Sequence, residues 1–229
     1  MASISGQEIV IKRYGKDALL IEWEPEISRK VLGKIMKADK AISESRITGL
    51  EELIPAYNSI TVFFNTAQIS YEDICLEITA AMRQEVVIPE SKIWKINVCY
   101  DEEYGVDLHR VCSHVGMTKD QVIEIHSQTE YDVHFFGFLP GFMYLGGLDA
   151  SLNIGRLDSP RISVPEGSVA LANGQTGIYP MESPGGWNII GRSHFKVFNP
   201  DDDPPCRISI GDKIRFVPIE KKDFLNKTT

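Results

Sequence analysis

Between Phe135 and Leu145 the sequence runs FFGFLPGFMYL, five aromatic side chains in eleven residues, punctuated by Gly137, Pro140 and Gly141. Rings interleaved with turn formers either fill a core or line a rigid apolar cleft. In the second case Phe138, Phe142 and Tyr144 would flank backbone held in place by Pro140 and the glycines. Small-ligand pockets are largely apolar with a few convergent polar groups, and such groups follow downstream: Arg161, Gln175, Thr176, Tyr179, Ser183 and Arg192. Arg161 and Arg192 could each grip a carboxylate or phosphate with forked donors. Taken singly, a surface ion pair or a turn hydrogen bond accounts for each of these residues; their clustering is what points to a site. His126 is the leading candidate for proton transfer, because free imidazole titrates nearest neutrality. Its place in the last turn of a helix has a plainer reading, a favourable interaction with the helix dipole. Glu166 and Glu182 could assist a base, or simply sit in solvated turns.

Established catalytic signatures are missing: no GxSxG elbow, no HExxH helix, no Cys/His pair at a recognisable spacing. Gly186 to Ser193, GWNIIGRS, comes within one residue of a phosphate-binding P-loop. It has Arg192 where Lys is required, Pro184 and Gly185 before it, and a strand-like Phe195–Phe198 where a helix should begin. Exposed N–H groups around Gly185 and Gly186 could still hold an anion.

The elements that must position these residues fall into two blocks. In the first ninety residues, Glu8–Tyr14 and Ala18–Trp23 are apolar runs separated by Gly15-Lys16-Asp17, a hairpin signal. Helical spacing of Val31, Leu32, Ile35, Met36 and Ile42 predicts a helix over about 28–43. Leu50–Ala56 and Ile60–Asn65 bracket a second turn, and Ser70 with Asp73 forms a capping pattern before a second helix. With Ile93–Cys99 as the next strand, the order from Ala18 is β-α-β-β-α-β, the ferredoxin-like order. Two short helices follow, the first capped by Asp107 and stopped by Gly116, the second opened by the Thr118/Gln121 box. From Gly137 to Gly191 lie 11 of the 18 glycines and 5 of the 12 prolines, with short apolar runs between them. That pattern predicts an all-β barrel or sandwich. The domain break is placed at 87–92, giving domains 1–90 and 91–229.

A net charge of -8 disfavours a nucleic-acid partner, which would call for a basic face. The longest central stretch free of Asp, Glu, Lys and Arg, Val133–Leu148, is too short for a membrane span and rich in glycine. Met1–Gln7 lacks the apolar core of a secretory signal. Cys75, Cys99, Cys112 and Cys206 form no CxxC pair and suggest reduced thiols in a cytoplasmic protein.

The strings HSQTEYDVHFFGFLPGFMYL, SPRISVPEGSVAL and QTGIYPMESPGGWNIIGRS closely resemble the Kip inhibitor (KipI) / allophanate hydrolase subunit 1 family, which includes the B subunits of bacterial 5-oxoprolinases. YGKDALLIEW, LIPAYNSITVFF and GDKIRFVPI extend the resemblance in order over nearly the whole chain. It departs from the family at Met143, at Ala172-Asn173-Gly174 and at Gly146–Asp149. The resemblance implies an α+β protein: a small ferredoxin-like α/β domain followed by a cyclophilin-like β-barrel. It implies one subunit of an enzyme that opens 5-oxo-L-proline to L-glutamate with ATP, the lactam oxygen being phosphorylated first. Partners would be a KipA/allophanate hydrolase subunit 2-type subunit and a LamB/YcsF-type subunit. ATP with Mg²⁺ would be co-substrate of the complex, with no metal or organic cofactor resident in this chain. Carried onto this sequence, the motif positions are Phe138, Pro140, Gly141, Phe142 and Tyr144, and Arg161, Gln175, Thr176, Tyr179, Ser183, Pro184, Gly185, Gly186, Trp187 and Arg192. With His126 added from the reading of the residues themselves, the candidate catalytic residues are His126, Arg161, Gln175 and Tyr179. Candidate binding residues are Phe138, Pro140, Phe142, Tyr144, Thr176, Ser183, Gly185, Gly186, Trp187 and Arg192. Rival readings are an inhibitor of a sporulation-type histidine kinase, a urea or allophanate hydrolase component, and a free-standing prolyl isomerase.

Overall fold

A computed structural model of the chain describes residues 2–4 and 7–226. Residues group into two compact units, Met1–Glu90 and Ser91–Thr229.

The first unit contains strands β1 (Ala2–Ile4), β2 (Gln7–Arg13), β3 (Ala18–Glu22), β4 (Leu50–Pro55) and β5 (Ser59–Phe64), with helices α1 (Arg29–Glu44) and α2 (Tyr71–Ala81). Both hairpin signals are realised, β2 against β3 and β4 against β5. Ser28 caps α1 by accepting the Val31 N–H, and Ser70 caps α2 by accepting that of Asp73. Ile60, Val62 and Phe64 alternate inward along β5 and meet Val31, Ile35 and Ile42 of α1 and Ile74 and Ile78 of α2. The sheet order is β1-β2-β3-β5-β4, antiparallel throughout.

That order corrects the expected role of Ile93–Cys99. The place beside β3 is taken by β2, and Ile93–Cys99 (β6) belongs to the second unit. The three-residue turn Gly15-Lys16-Asp17 closes the β2–β3 pair at little entropic cost, whereas a strand returning from beyond α2 would close a long loop. Ile96 and Val98 of β6 are instead buried in the other core.

The second unit is a closed seven-strand barrel. Besides β6 it contains β7 (Glu130–Phe136), β8 (Met143–Gly146), β9 (Arg161–Val164), β10 (Ser168–Ala172), β11 (Gln175–Ile178), β12 (Ser183–Gly185), β13 (Asn188–Arg192) and β14 (Lys213–Ile219). Around the barrel the order is β10-β11-β8-β7-β14-β6-β13, closed by β13 on β10; β9 and β12 form a separate two-stranded ribbon. Closure removes unpaired sheet edges. Every barrel pair is antiparallel except β6 with β14. Asn173 and Gly174, both at positive φ (51° and 74°), make the two-residue turn between β10 and β11. Helices α3 (Leu108–Val115) and α4 (Lys119–Gln128) follow β6, and α5 (Lys221–Asn226) follows β14. The Thr118/Gln121 capping box forms, and Gly116 ends α3 in the left-handed conformation. Phe195–Phe198, expected as a strand, is irregular; Val197 is buried in the core and Phe195 packs against it. The fold is thus mixed α+β with a closed barrel. Among the described residues no helix is long and apolar enough to cross a membrane.

Candidate functional site

Strand alternation sends the barrel residues to two different places. On β10 and β11, Val169, Leu171, Thr176 and Ile178 face the barrel interior. Ala170, Ala172, Gln175 and Gly177 take the opposite face. Over that face lies a second apolar cluster of Phe142, Tyr179, Trp187, Val164 and Ile189.

Phe142 is its centre. Its ring meets Phe138, Tyr144, Tyr179 and Trp187 edge to face, with centroids 5.6, 5.0, 5.3 and 5.5 Å away. A Cβ at Gly177 would stand 3.3 Å from both Phe142 and Trp187, so the glycine allows the rings to lie on the strand. Gly141, at φ 81°, brings the loop against Phe198; a Cβ there would lie 2.5 Å from that of Phe198. Of the sequence candidates, Phe138, Phe142, Tyr144, Tyr179 and Trp187 are therefore gathered in one cluster. Pro140 is exposed in the adjoining loop.

Arg161 enters from the β9–β12 ribbon, where it is the register partner of Gly185. Gly185 packs directly on the Tyr179 hydroxyl. Burial pushes the Tyr179 hydroxyl up, opposed by a hydrogen bond from the Trp187 backbone and by the positive fields of Arg156 and Arg161. Arg161 donates from Nη2 to Asp107 Oδ1 at 2.6 Å, and Asp107 Oδ2 accepts the Ile189 N–H at 2.8 Å. Asp107 is 6% exposed. Although it stands at the N-cap of α3, its side chain makes no capping bond, which corrects the capping role expected for it. The other guanidinium nitrogen, Arg161 Nη1, is buried without an acceptor. A buried donor in that state is unfavourable unless something accepts from it.

Arg192 keeps different company. Its guanidinium lies 5.6 Å from the Tyr104 ring centroid, and its Nε is also buried without a partner. The near-P-loop stretch is strand β13, flanked by β10 and β6, so it has neither the strand–loop–helix form nor the lysine of a P-loop. Ser183 is buried on β12, donating to the Pro184 carbonyl at 3.2 Å, while Gly186 rests against Pro160 and accepts the Leu157 N–H. Glu166 pairs with Lys196 and Glu182 accepts from Ser163, both at the surface.

His126 is 0% exposed inside the barrel, stacked on Phe216 at 4.6 Å. Tyr100 Oη lies 2.7 Å from its Nδ1 and Thr176 Oγ1 2.9 Å from its Nε2. Thr176 spends its own hydroxyl proton on the Ala170 carbonyl. Nε2 must then donate to Thr176, and Nδ1 must accept from Tyr100. Burial lowers the imidazole pKa to about 3. A neutral, sealed ring with both nitrogens engaged is a structural member of the barrel and stands apart from the Arg161 cluster. Thr176 goes with it. Gln175 remains on the cluster's face, 8% exposed.

Sequence reasoning missed Asp107 as a ligand of Arg161, and Arg156 as a second cation near Tyr179. It also missed Arg110, which donates to Asn188 Oδ1 at 2.6 Å. None had a local motif; the Asp107–Arg161 pair spans 54 positions.

The chain is similar to known proteins along most of its length. It is 35% identical over 226 residues to the 5-oxoprolinase B subunit of Bacillus subtilis (strain 168), covering 93% of this chain and 94% of that one. To the 5-oxoprolinase B subunit of Escherichia coli O157:H7 it is 36% identical over 209 residues, covering 89% and 93%. Among solved structures, TTHA0988 superposes with a TM-score of 0.79 at 29% identity; the match covers 89% of this chain and 40% of that longer one. The Kluyveromyces lactis urea amidolyase superposes with a TM-score of 0.80 at 16% identity, over 96% of this chain and 15% of that one, a likeness of fold alone. Residues 9–208 match the carboxyltransferase domain, subdomain C and D. With that match and these relatives, the chain belongs to the carboxyltransferase subdomain C and D family, in the branch that includes the 5-oxoprolinase B subunits.

Proposed function

We propose that this chain is one subunit of an ATP-dependent 5-oxoprolinase, and that its second unit contributes a face of the site where the lactam of 5-oxo-L-proline is activated. The reading rests on two relatives, both named as 5-oxoprolinase B subunits, that align over about nine-tenths of the chain. The observation that carries the site is Arg161, held on one side by Asp107 and left with a buried, unsatisfied Nη1 beside the Phe142–Tyr179–Trp187 cluster. A guanidinium with one edge fixed and a donor to spare is suited to a carboxylate. The aromatic rings would pack on the pyrrolidone body. Anchoring the carboxylate would orient the lactam oxygen to take the terminal phosphoryl group of ATP, with ADP leaving. Water then adds to the activated carbon, the C–N bond breaks to open the ring as an acyl phosphate, and a second water releases phosphate to give glutamate. The nucleotide would bring Mg²⁺ on its phosphates; among the described residues no three His, Cys, Asp or Glu side chains gather for a metal.

In this reading Arg161 and the aromatic set, with Gln175 and Gly185 at its border, form the binding face, and His126 and Thr176 hold the barrel. The first unit is read as a ferredoxin-like layer in which β2 takes the position of the last strand, and the barrel as cyclophilin-like. A KipA-type and a LamB/YcsF-type subunit would complete the enzyme. The test is glutamate release from 5-oxo-L-proline and ATP by the three-component mixture, omitting each component in turn. Activity must vanish without this chain. Within the active complex, Arg161→Ala should raise the KM for 5-oxoproline about tenfold or more, while Arg192→Ala leaves it within about twofold. Equal effects of the two substitutions would refute the assignment of Arg161.

A further inference from the structure

A cavity in the first unit lies outside everything described so far. It is a cleft of about 610 Å³, open to solvent and the size of a small-molecule site, lined by residues of β2 and α1, by Trp23 just after β3, and by residues 82–87. Ile9, Ala38, Met82 and Val86 give it apolar walls. Trp23 is 5% exposed, and its indole N–H is buried with no acceptor. An indole nitrogen can only donate, and a buried one normally has a partner.

The charges at the cavity are unevenly matched. Lys34 is paired with Glu24 at 2.6 Å, whereas Lys37 and Arg83 make no ion pair among the described residues. Glu85 is the one acidic residue on the lining. Two uncommitted cations and an unsatisfied donor beside apolar walls call for one kind of occupant: an acceptor-rich negative head on an aliphatic body.

We propose that this cavity is a binding site for an amphipathic organic acid, its carboxylate taken by Lys37 and Arg83 with Trp23 as neutral donor, and its aliphatic part against Met82 and Val86. The site is independent of the oxoprolinase reading, which concerns the other unit.

The test is a ¹H–¹⁵N titration of the full chain, following the three indole resonances, with that of Trp23 identified by its loss in Trp23→Phe. Sodium octanoate should move the Trp23 indole resonance saturably and leave those of Trp94 and Trp187 in place. Octan-1-ol, with the same body and no charge, and inorganic phosphate, with charge and no body, should each bind about tenfold more weakly or worse. The double variant Lys37→Gln, Arg83→Gln should lose about tenfold in octanoate affinity while the Trp94 and Trp187 resonances stay unchanged, showing an intact fold. An unmoved Trp23 resonance, equal binding of octan-1-ol, or undiminished binding by the double variant would each overturn the proposal.

Discussion

His126 illustrates how burial decides what a residue can do. Its folded-state pKa is lowered to about 3 from an ordinary 6.5 because no charge can be solvated in the barrel. Between those values the unfolded chain binds a proton that the folded chain does not. Stability is therefore whole above pH 6.5 and declines as pH falls, by about 1.4 kcal/mol per unit from this residue. Urea midpoints measured from pH 7 to pH 4 should show this slope in the native protein and lose that part of it in His126→Gln. The substitution itself should cost about 3 kcal/mol at pH 7, since Tyr100 and Thr176 lose their partner. An unchanged slope would mean the ring is solvated. At Asp107 the expected result is different. Asp107→Asn retains an acceptor for the Ile189 N–H but surrenders the charge that holds Arg161, so the KM for 5-oxoproline should rise with little change in kcat.

Among the elements, turns separate backbone strain from crowding. Gly174 at φ 74° faces open space, its nearest neighbour being Asn153 at 3.9 Å, whereas Gly141 at φ 81° is pressed on Phe198. Gly174→Ala should cost about 1 kcal/mol, the left-handed penalty alone. Gly141→Ala should cost clearly more and disturb the loop that carries Phe142; equal urea midpoints for the two variants would contradict this. Local features of this kind were legible in the sequence. The Thr118/Gln121 box, the Ser70 cap and both hairpins form, because each is settled within a few residues. The partner of a strand is not settled locally. Ile93–Cys99 reads as a strand in any register, and only the burial of Ile96 and Val98 with Phe216 and Tyr131 places it in the barrel. The proposed Arg161 site was half legible: the arginine and the rings stood out by type, while Asp107, 54 positions away, was marked only as a helix cap. The burial of His126 had a signal in the sequence, since Val122 lies one helical turn before it on the same buried face.

At the scale of the molecule, each unit has a core of its own. The cluster around Ile21, Ile35, Val62 and Ile78 draws all its buried residues from positions 9–81. The barrel core begins at Ile96, and the arginine and aromatic residues proposed for substrate all lie beyond it. Between them Val87 is 85% exposed, and residues 85–92 form neither helix nor strand. A segment with a continuous apolar core, both helices capped and its sheet complete within the segment is equipped to fold as a unit. The fragment 1–90 should therefore unfold cooperatively in urea, with fluorescence of its single tryptophan and circular dichroism tracing the same transition. Coincident curves would show that the strand-sharing expected from the sequence, with β6 closing the first sheet, is unnecessary for that sheet. A fragment without a cooperative transition would mean that β6 or the barrel behind it stabilises the first unit, and the two cores would have to be treated as one.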